Sequence, residues 1–248
     1  MFWLFVPESG LLWRKTAWLL PLLLLPVNAF AAGQAPIFDL PVNCEIGRQC
    51  FIQNYVDLAA GPAVEDHACG QLSYDGHKGT DIRVRDLVAL QQGVNVVAAA
   101  WGKVVALRDG MPDRDVRTLR PASVKGVECG NGVVIDHGRG WQSKYCHMRR
   151  GSVLVSRGMT VVPGQPLGRM GMSGNTQFPH LHFEVTRDSK FVAPFNGLHQ
   201  RPQEQCGGQG LTGSLWKISV AARLKYLTSG VISSGFAIKK PDITGIEK

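Results

Sequence analysis

His180-Leu181-His182 opens a short apolar run that continues through Phe183 and Val185. A run of this kind reads as a strand. Side chains two apart on a strand share a face, so His180 and His182 project together while Leu181 and Phe183 turn to the core. Well upstream, His77-Lys78-Gly79-Thr80-Asp81 adds an imidazole and a carboxylate among the turn residues Ser73, Tyr74, Asp75 and Gly76. Two imidazoles and a carboxylate form the protein ligand set of a catalytic zinc, which keeps one position open for water. One further imidazole is then left for proton transfer, as a metal hydrolase requires. A third element, Lys144-Tyr145-Cys146-His147-Met148, puts another histidine in a strand-like run, with Tyr145 and His147 expected on one face. Spacing alone is a weak signal, because an isolated histidine is ordinarily a hydrogen-bonded or surface residue.

The elements that must hold these residues are short strands between glycine turns. Residues 94–100 and 102–107 suggest two strands around a tight turn, and 86–92 one or two helical turns. Residues 132–137, a Gly-Arg-Gly turn and 141–148 make a hairpin signal. More strand material is expected in 153–162, a turn at 163–166, and a glycine- and methionine-rich connection over 168–174 that leads into the His180 strand. Residues 110–125 are polar, with two prolines and six charged side chains, and read as a long surface loop. The expected fold class is all-β: an antiparallel sheet or sandwich with short strands and long loops. After Cys206, a linker at 207–210 precedes the alternation of Ile218, Val220, Ala222, Leu224 and Tyr226, which suggests a small β appendage over 207–248.

The chain of 248 residues carries a formal charge of +8. Arg14 and Lys15 precede the apolar run Ala17–Val27, and Ala29-Phe30-Ala31 supplies small residues for cleavage, so residues 1–31 are expected to be a secretory signal. The apolar run is shorter than the roughly 20 residues a membrane span needs, and Pro21 and Pro26 interrupt it. No stable span is expected after cleavage, and the expected location is periplasmic or secreted. The remainder stays basic, which suits an anionic polymer. An exported chain with no basic, aromatic-interleaved run is not expected to bind nucleic acid. The six cysteines (44, 50, 69, 129, 146 and 206) suit disulfides in an exported protein. Cys129 and Cys146 lie on what look like two arms of one hairpin and are the expected pair; the other pairings stay open. Residues 32–70, punctuated by prolines and cysteines, are expected to be an irregular, disulfide-tied lead-in, with ordered strands from Asp81 onward.

The ordered motifs His77…Asp81, Tyr145-Cys146-His147 and His180-Leu181-His182 resemble those of the lysostaphin/LytM-type zinc metallopeptidases, which cut bacterial cell-wall peptides. Residues 132–138 resemble the family hairpin, and Ser173-Gly174-Asn175-Thr176 the approach to its last motif. The resemblance spans residues 70–195, within a metallopeptidase domain placed at 71–206. It implies that His77, Asp81 and His182 hold Zn2+. It implies His180 as general base towards the water at the metal, and His147 as the group that orients that water or stabilises the tetrahedral intermediate. Tyr145, Glu184 and Asn175 are placed as supporting neighbours, Glu184 because it shares strand parity with His182. The segments 82–92 and 110–125 look inserted relative to the family, and Phe178 stands where a glycine often precedes Pro-His.

The resulting expectation is an exported zinc metalloendopeptidase acting on peptidoglycan stem or cross-link peptides. Two alternatives accompany it: a non-catalytic activator of another wall hydrolase, as some members with lost ligands are, and a secreted protease of glycine-rich peptides. A monomer is favoured, with the oligomeric state left open. The bond cut, and whether residues 32–70 gate the groove, are not legible in the sequence.

Overall fold

The computed structural model describes Met1 and residues 35–120, 123–199 and 213–224. The chain divides between Gln34 and Ala35, and every element below belongs to the second part. The expected signal segment, the linker at 207–210 and Cys206 lie outside the described residues.

The elements are β1 (Cys50–Asn54), β2 (Gly79–Val84), α1 (Leu87–Gln92), β3 (Asn95–Val97), β4 (Gly102–Arg108), β5 (Asn131–Gly138), β6 (Trp141–Met148), β7 (Thr160–Val161), β8 (Pro166–Arg169), β9 (His180–Arg187), β10 (Lys190–Phe191) and α2 (Ile218–Ala221). Their pairings are all antiparallel, giving the expected all-β class. The main sheet runs β1-β2-β9-β6-β5-β4-β7, with β10 added to β9, and β3 and β8 form a second small sheet.

Period-two burial organises the core. Leu181, Phe183 and Val185 of β9 are fully buried together with Ile82, Val133, Ile135 and Tyr145. Each such side chain stabilises the fold by about 1.5–3 kcal/mol. Phe38 and Trp216 close over Phe183, with ring centroids 5.7 Å away in both cases. The Phe38 N–H donates to the Leu215 carbonyl at 2.7 Å, and the Lys217 N–H donates to the Phe38 carbonyl at 2.9 Å. The lead-in and the C-terminal described segment are therefore pinned to one another.

Four expectations change. The lead-in is not wholly irregular: β1 lies within it and pairs with β2, and Cys44 bonds Cys50 at its start. β3 and β4 do not pair, because Ala98 bonds instead to the turn before β8, donating to the Gln165 carbonyl and accepting from the Gly164 N–H. Within 153–162 only Thr160–Val161 is strand. The C-terminal alternation gives a helical turn rather than a strand. Val220 and Leu224 are buried while Ile218 is exposed, a spacing of four that fits one face of a helix. Residues 225–248 of the expected appendage are outside the described residues. The helical turn in the 86–92 segment is present as α1, capped by Asp86, whose carboxylate accepts from the Ala89 N–H at 2.8 Å. The Cys129–Cys146 disulfide is present as expected.

Candidate metal centre

The ladder between β2 and β9 builds the site. Its register sets Asp81 opposite His182, Gly79 opposite Glu184 and Arg83 opposite His180. Opposed residues share a sheet face, so Asp81, His180 and His182 stand together on the face turned away from Leu181 and Phe183. His77 arrives from the turn before β2. Its Nδ1 donates to the Tyr55 carbonyl at 2.7 Å. A carbonyl only accepts, so this contact keeps the proton on Nδ1 and aims Nε2 at the site.

His77 Nε2 lies 3.1 Å from Asp81 Oδ2 and 3.2 Å from His182 Nδ1, and His182 Nδ1 lies 2.8 Å from Asp81 Oδ1. Three donors this close form a triangle near the edge length of about 3.4 Å that a tetrahedral ion with ~2.0–2.1 Å bonds requires. The set of two imidazole nitrogens and one carboxylate oxygen fits a divalent zinc-like ion, and it is the group of this kind found among the described residues. Gly79 makes room for it: a Cβ there would stand 2.6 Å from His182 Cε1 and Nε2. Outside the triangle, Glu184 Oε2 lies 3.6 Å from His182 Nε2, and Glu184 Oε1 accepts from Lys144 Nζ at 2.8 Å. Glu184 thus lies beside His182, with which it shares strand parity.

His147 reaches the site by a different device. On β6, Cys146 pairs with His182 and Tyr145 with Phe183, so strict alternation would send His147 towards the core with Tyr145. The β5–β6 register prevents this. Val133 pairs with Tyr145 but Asn131 with Met148, which leaves one extra residue on β6, a bulge. His147 takes φ +61° there, in the left-handed region, and its ring turns to within 4.6 Å of the His180 ring, centroid to centroid. The expectation that Tyr145 and His147 share a face is corrected accordingly. Tyr145 is a core residue whose hydroxyl accepts from the Ala99 N–H at 2.8 Å, and burial pushes its phenol up to about 12.

The two histidines outside the donor triangle have matching tautomers. His147 Nδ1 donates to the Ser173 carbonyl at 2.7 Å; His180 Nδ1 donates to the Phe178 carbonyl at 3.0 Å and lies 3.1 Å from Thr176 Oγ1. Both therefore present an unprotonated Nε2, and that of His180 stands 3.6 Å from Asp81 Oδ1. Burial depresses the pKa of both rings, with neighbouring histidines adding to the effect, and His147 falls well below the ordinary range. They are neutral acceptors at pH 7. Burial alone would raise Asp81, but His77, His180 and the hydrogen bond from His182 hold it well below the usual carboxylate range. His182 is the opposite case: burial opposes its charge, yet the hydrogen bonds and charges of Asp81 and Glu184 lift it to about 9.

A groove of about 460 Å³ opens over His147 and His182, walled by Tyr74, Lys78, Arg108, Glu128 and Asn175. Asn175 stands exposed on this wall, and its N–H donates to the Glu128 carbonyl at 2.8 Å. Phe178, the departure from the family pattern, stacks on His180 at 5.0 Å. Sequence reasoning did not single out the Tyr55 carbonyl, the Ser173 carbonyl or the Thr176 hydroxyl. The first is a backbone group far off in sequence; the others lie in a segment recognised only as an approach to His180.

Residues 75–194 match the model of peptidase family M23. They form a peptidase family M23 domain. The M23 domain holds every residue of the donor triangle and both remaining histidines. Peptidoglycan DD-endopeptidase ShyC of Vibrio cholerae is 35% identical over 94 residues, 37% of this chain and 19% of the relative. Murein hydrolase activator EnvC of Escherichia coli is 34% identical over 103 residues, 42% of this chain and 22% of the relative. This chain thus spans about a fifth of the length of these curated relatives. A solved zinc-containing peptidase from Vibrio cholerae is 26% identical, with a TM-score of 0.37, over 58% of this chain and 39% of its own.

Proposed function

We propose that this chain is a zinc metalloendopeptidase that hydrolyses peptide bonds of peptidoglycan cross-links outside the cytoplasm. The observation that carries the proposal is the pairing of a His77–Asp81–His182 donor triangle with two neutral histidines whose Nε2 atoms are unprotonated. Zinc, when bound, supplies the positive charge that acidifies water and polarises a carbonyl. The chain supplies the rest. His180 Nε2 accepts the proton of the attacking water and returns it to the leaving amine. His147 orients that water and faces the charge that develops on the carbonyl oxygen. Asp81, already ionised, holds the ligand cluster together without needing to lose a proton.

The substrate class is supported by the relatives named peptidoglycan DD-endopeptidase and by the basic charge of the chain. The name of the EnvC relative supports a second reading, an activator of another wall hydrolase. The complete donor triangle and the two neutral histidines favour hydrolysis. Among the described residues no helix is long and apolar enough to cross a membrane, and the expected signal over residues 1–31 supports export.

The test is digestion of purified sacculi by the chain from Ala32 onward, with and without a chelator, reading released fragments by mass. Chelator-sensitive cleavage of cross-linked peptides supports the proposal and names the bond. A folded, zinc-loaded protein that releases nothing but stimulates an amidase overturns it in favour of the activator.

A further inference from the structure

We propose that the long loop between β4 and β5 is a positioning device for His147 and His180, latched by the Cys129–Cys146 disulfide. The inference rests on reading those two histidines as the proton-handling groups. Neither the disulfide nor the loop is needed to form the donor triangle, whose residues come from β2, β9 and the turn before β2.

The loop grips one short segment, residues 172–176, from two sides. On one side its descending arm bonds along the segment. The Arg114 N–H donates to the Met172 carbonyl at 3.1 Å, and the Val116 N–H to the Thr176 carbonyl at 2.9 Å. Asp113 accepts from the Met172 N–H at 2.7 Å through Oδ1 and from the Arg150 N–H at 2.9 Å through Oδ2. On the other side, the returning arm receives the Asn175 N–H on the Glu128 carbonyl at 2.8 Å and donates the Asn131 N–H to Ser173 Oγ at 2.9 Å. The two arms are tied to each other by Asn131. Its Oδ1 accepts from the Met111 N–H at 2.8 Å, and its Nδ2 donates to the Met111 carbonyl at 2.8 Å.

The gripped segment is the one that orients the two histidines. Ser173 offers the carbonyl that His147 Nδ1 bonds, and Thr176 offers the hydroxyl beside His180 Nδ1. The returning arm also reaches His147 directly, since the Cys129 carbonyl accepts the His147 N–H at 2.8 Å. That bond is made at the bulge, where the β5–β6 ladder gives His147 no regular partner. The disulfide joins Cys129 to Cys146, the residue immediately before His147, so it holds this bond closed. Close packing leaves little slack: a Cβ on Gly130 would run into the Ser173 carbonyl. A loop that looks like a tolerated insertion thus fixes both imidazoles, and a misplacement near 1 Å at such groups costs up to about a hundredfold in rate.

The experiment uses the chain from Ala32 onward as Cys129→Ser/Cys146→Ser, with Cys44→Ser/Cys50→Ser as a control. Zinc content, kcat and KM on purified cross-linked peptides, and amide exchange at His147 are measured on each. In the latch variant, zinc per chain is unchanged, KM stays within about twofold, kcat falls about tenfold or more, and His147 exchange rises about tenfold or more. The control keeps wild-type kcat and wild-type exchange at His147. Val116→Pro tests the other arm without the disulfide. Proline suits the first position of the short 3-10 turn at Val116–Thr118, and Asp115 before it already has the extended ψ of 121° that a following proline requires. Losing that N–H lowers kcat about threefold with zinc retained. Loss of zinc from the latch variant, an unchanged kcat in it, or unchanged exchange at His147 overturns the proposal. A wild type that is fully zinc-loaded yet cuts nothing defeats the hydrolase reading instead, and the exchange measurement still decides the latch.

Discussion

His182 sits directly opposite Asp81 across the β2–β9 ladder, and its Nδ1 stands 2.8 Å from Asp81 Oδ1. This cross-strand pair is the hinge of the donor triangle, because His77 closes on both of its members. His77→Ala and Asp81→Ala are expected to lose bound zinc, as each removes one of the three proposed ligands. His147→Ala and His180→Ala keep zinc and lose at least about a hundredfold in rate, the usual scale of a proton-transfer group. Metal analysis beside turnover on cross-linked peptides separates the two classes. Full activity in His180→Ala would sink its role as general base.

Metal uptake should release a proton. Without metal, His182 titrates at about 9 and is charged at pH 7; a ligand imidazole must be neutral. Calorimetry in buffers of different ionisation enthalpy should find about one proton released per ion at pH 7. Apparent affinity should rise roughly tenfold per pH unit and level off above pH 9. The sign for stability follows from the raised value. The charged His182 favours the metal-free fold in full below the unfolded value near 6.5, and that gain disappears as pH rises through about 9. Metal affinity that is flat between pH 6 and 9 would contradict this.

How much of this was legible in the sequence divides at the bulge. The parity of His180 and His182 could be read because β9 is a regular strand, and Asp81 joins them because β2 lies beside it in register. The all-β class followed from short apolar runs between glycines. His147 was identified by its motif, but its route to the site was not: alternation placed it beside Tyr145, and only the extra residue on β6 reverses that. The Tyr55 carbonyl that orients His77 is a backbone group just after the end of β1, and no residue type announces it. The C-terminal alternation misled because two periods fit a short apolar series, and the exposure of Ile218 and Ala222 between and beside the buried Val220 and Leu224 selects the helical one.

Tyr145 should behave as a core residue. Tyr145→Phe leaves the buried Ala99 N–H without its acceptor, so stability should drop by about 1–3 kcal/mol while zinc content stays unchanged. Denaturant unfolding checks the first part and metal analysis the second. A loss of zinc would mean the hydroxyl acts on the centre after all.

Phe178 should matter for rate rather than for metal. Its ring stacks on His180 and carries the Arg83 guanidinium 5.0 Å from its centroid. Phe178→Ala keeps the backbone carbonyl that His180 bonds but removes the stacked face, and a contact of this kind contributes about 0.5–1.5 kcal/mol. The expected result is a kcat lowered by about two- to tenfold with zinc unchanged. An unchanged kcat would show that the Thr176 hydroxyl and the Phe178 carbonyl suffice to hold the ring.

The extra residue on β6 gives this gene an unusual reading-frame-preserving vulnerability. Deleting a single codon between Tyr145 and Met148 would restore perfect pleating to the strand, an improvement by the standards of sheet geometry. Deleting His147 would take the histidine from the groove, and deleting Cys146 would take away the partner of Cys129. The β5–β6 strand pair is therefore a place where the more regular strand gives up either the groove histidine or the disulfide.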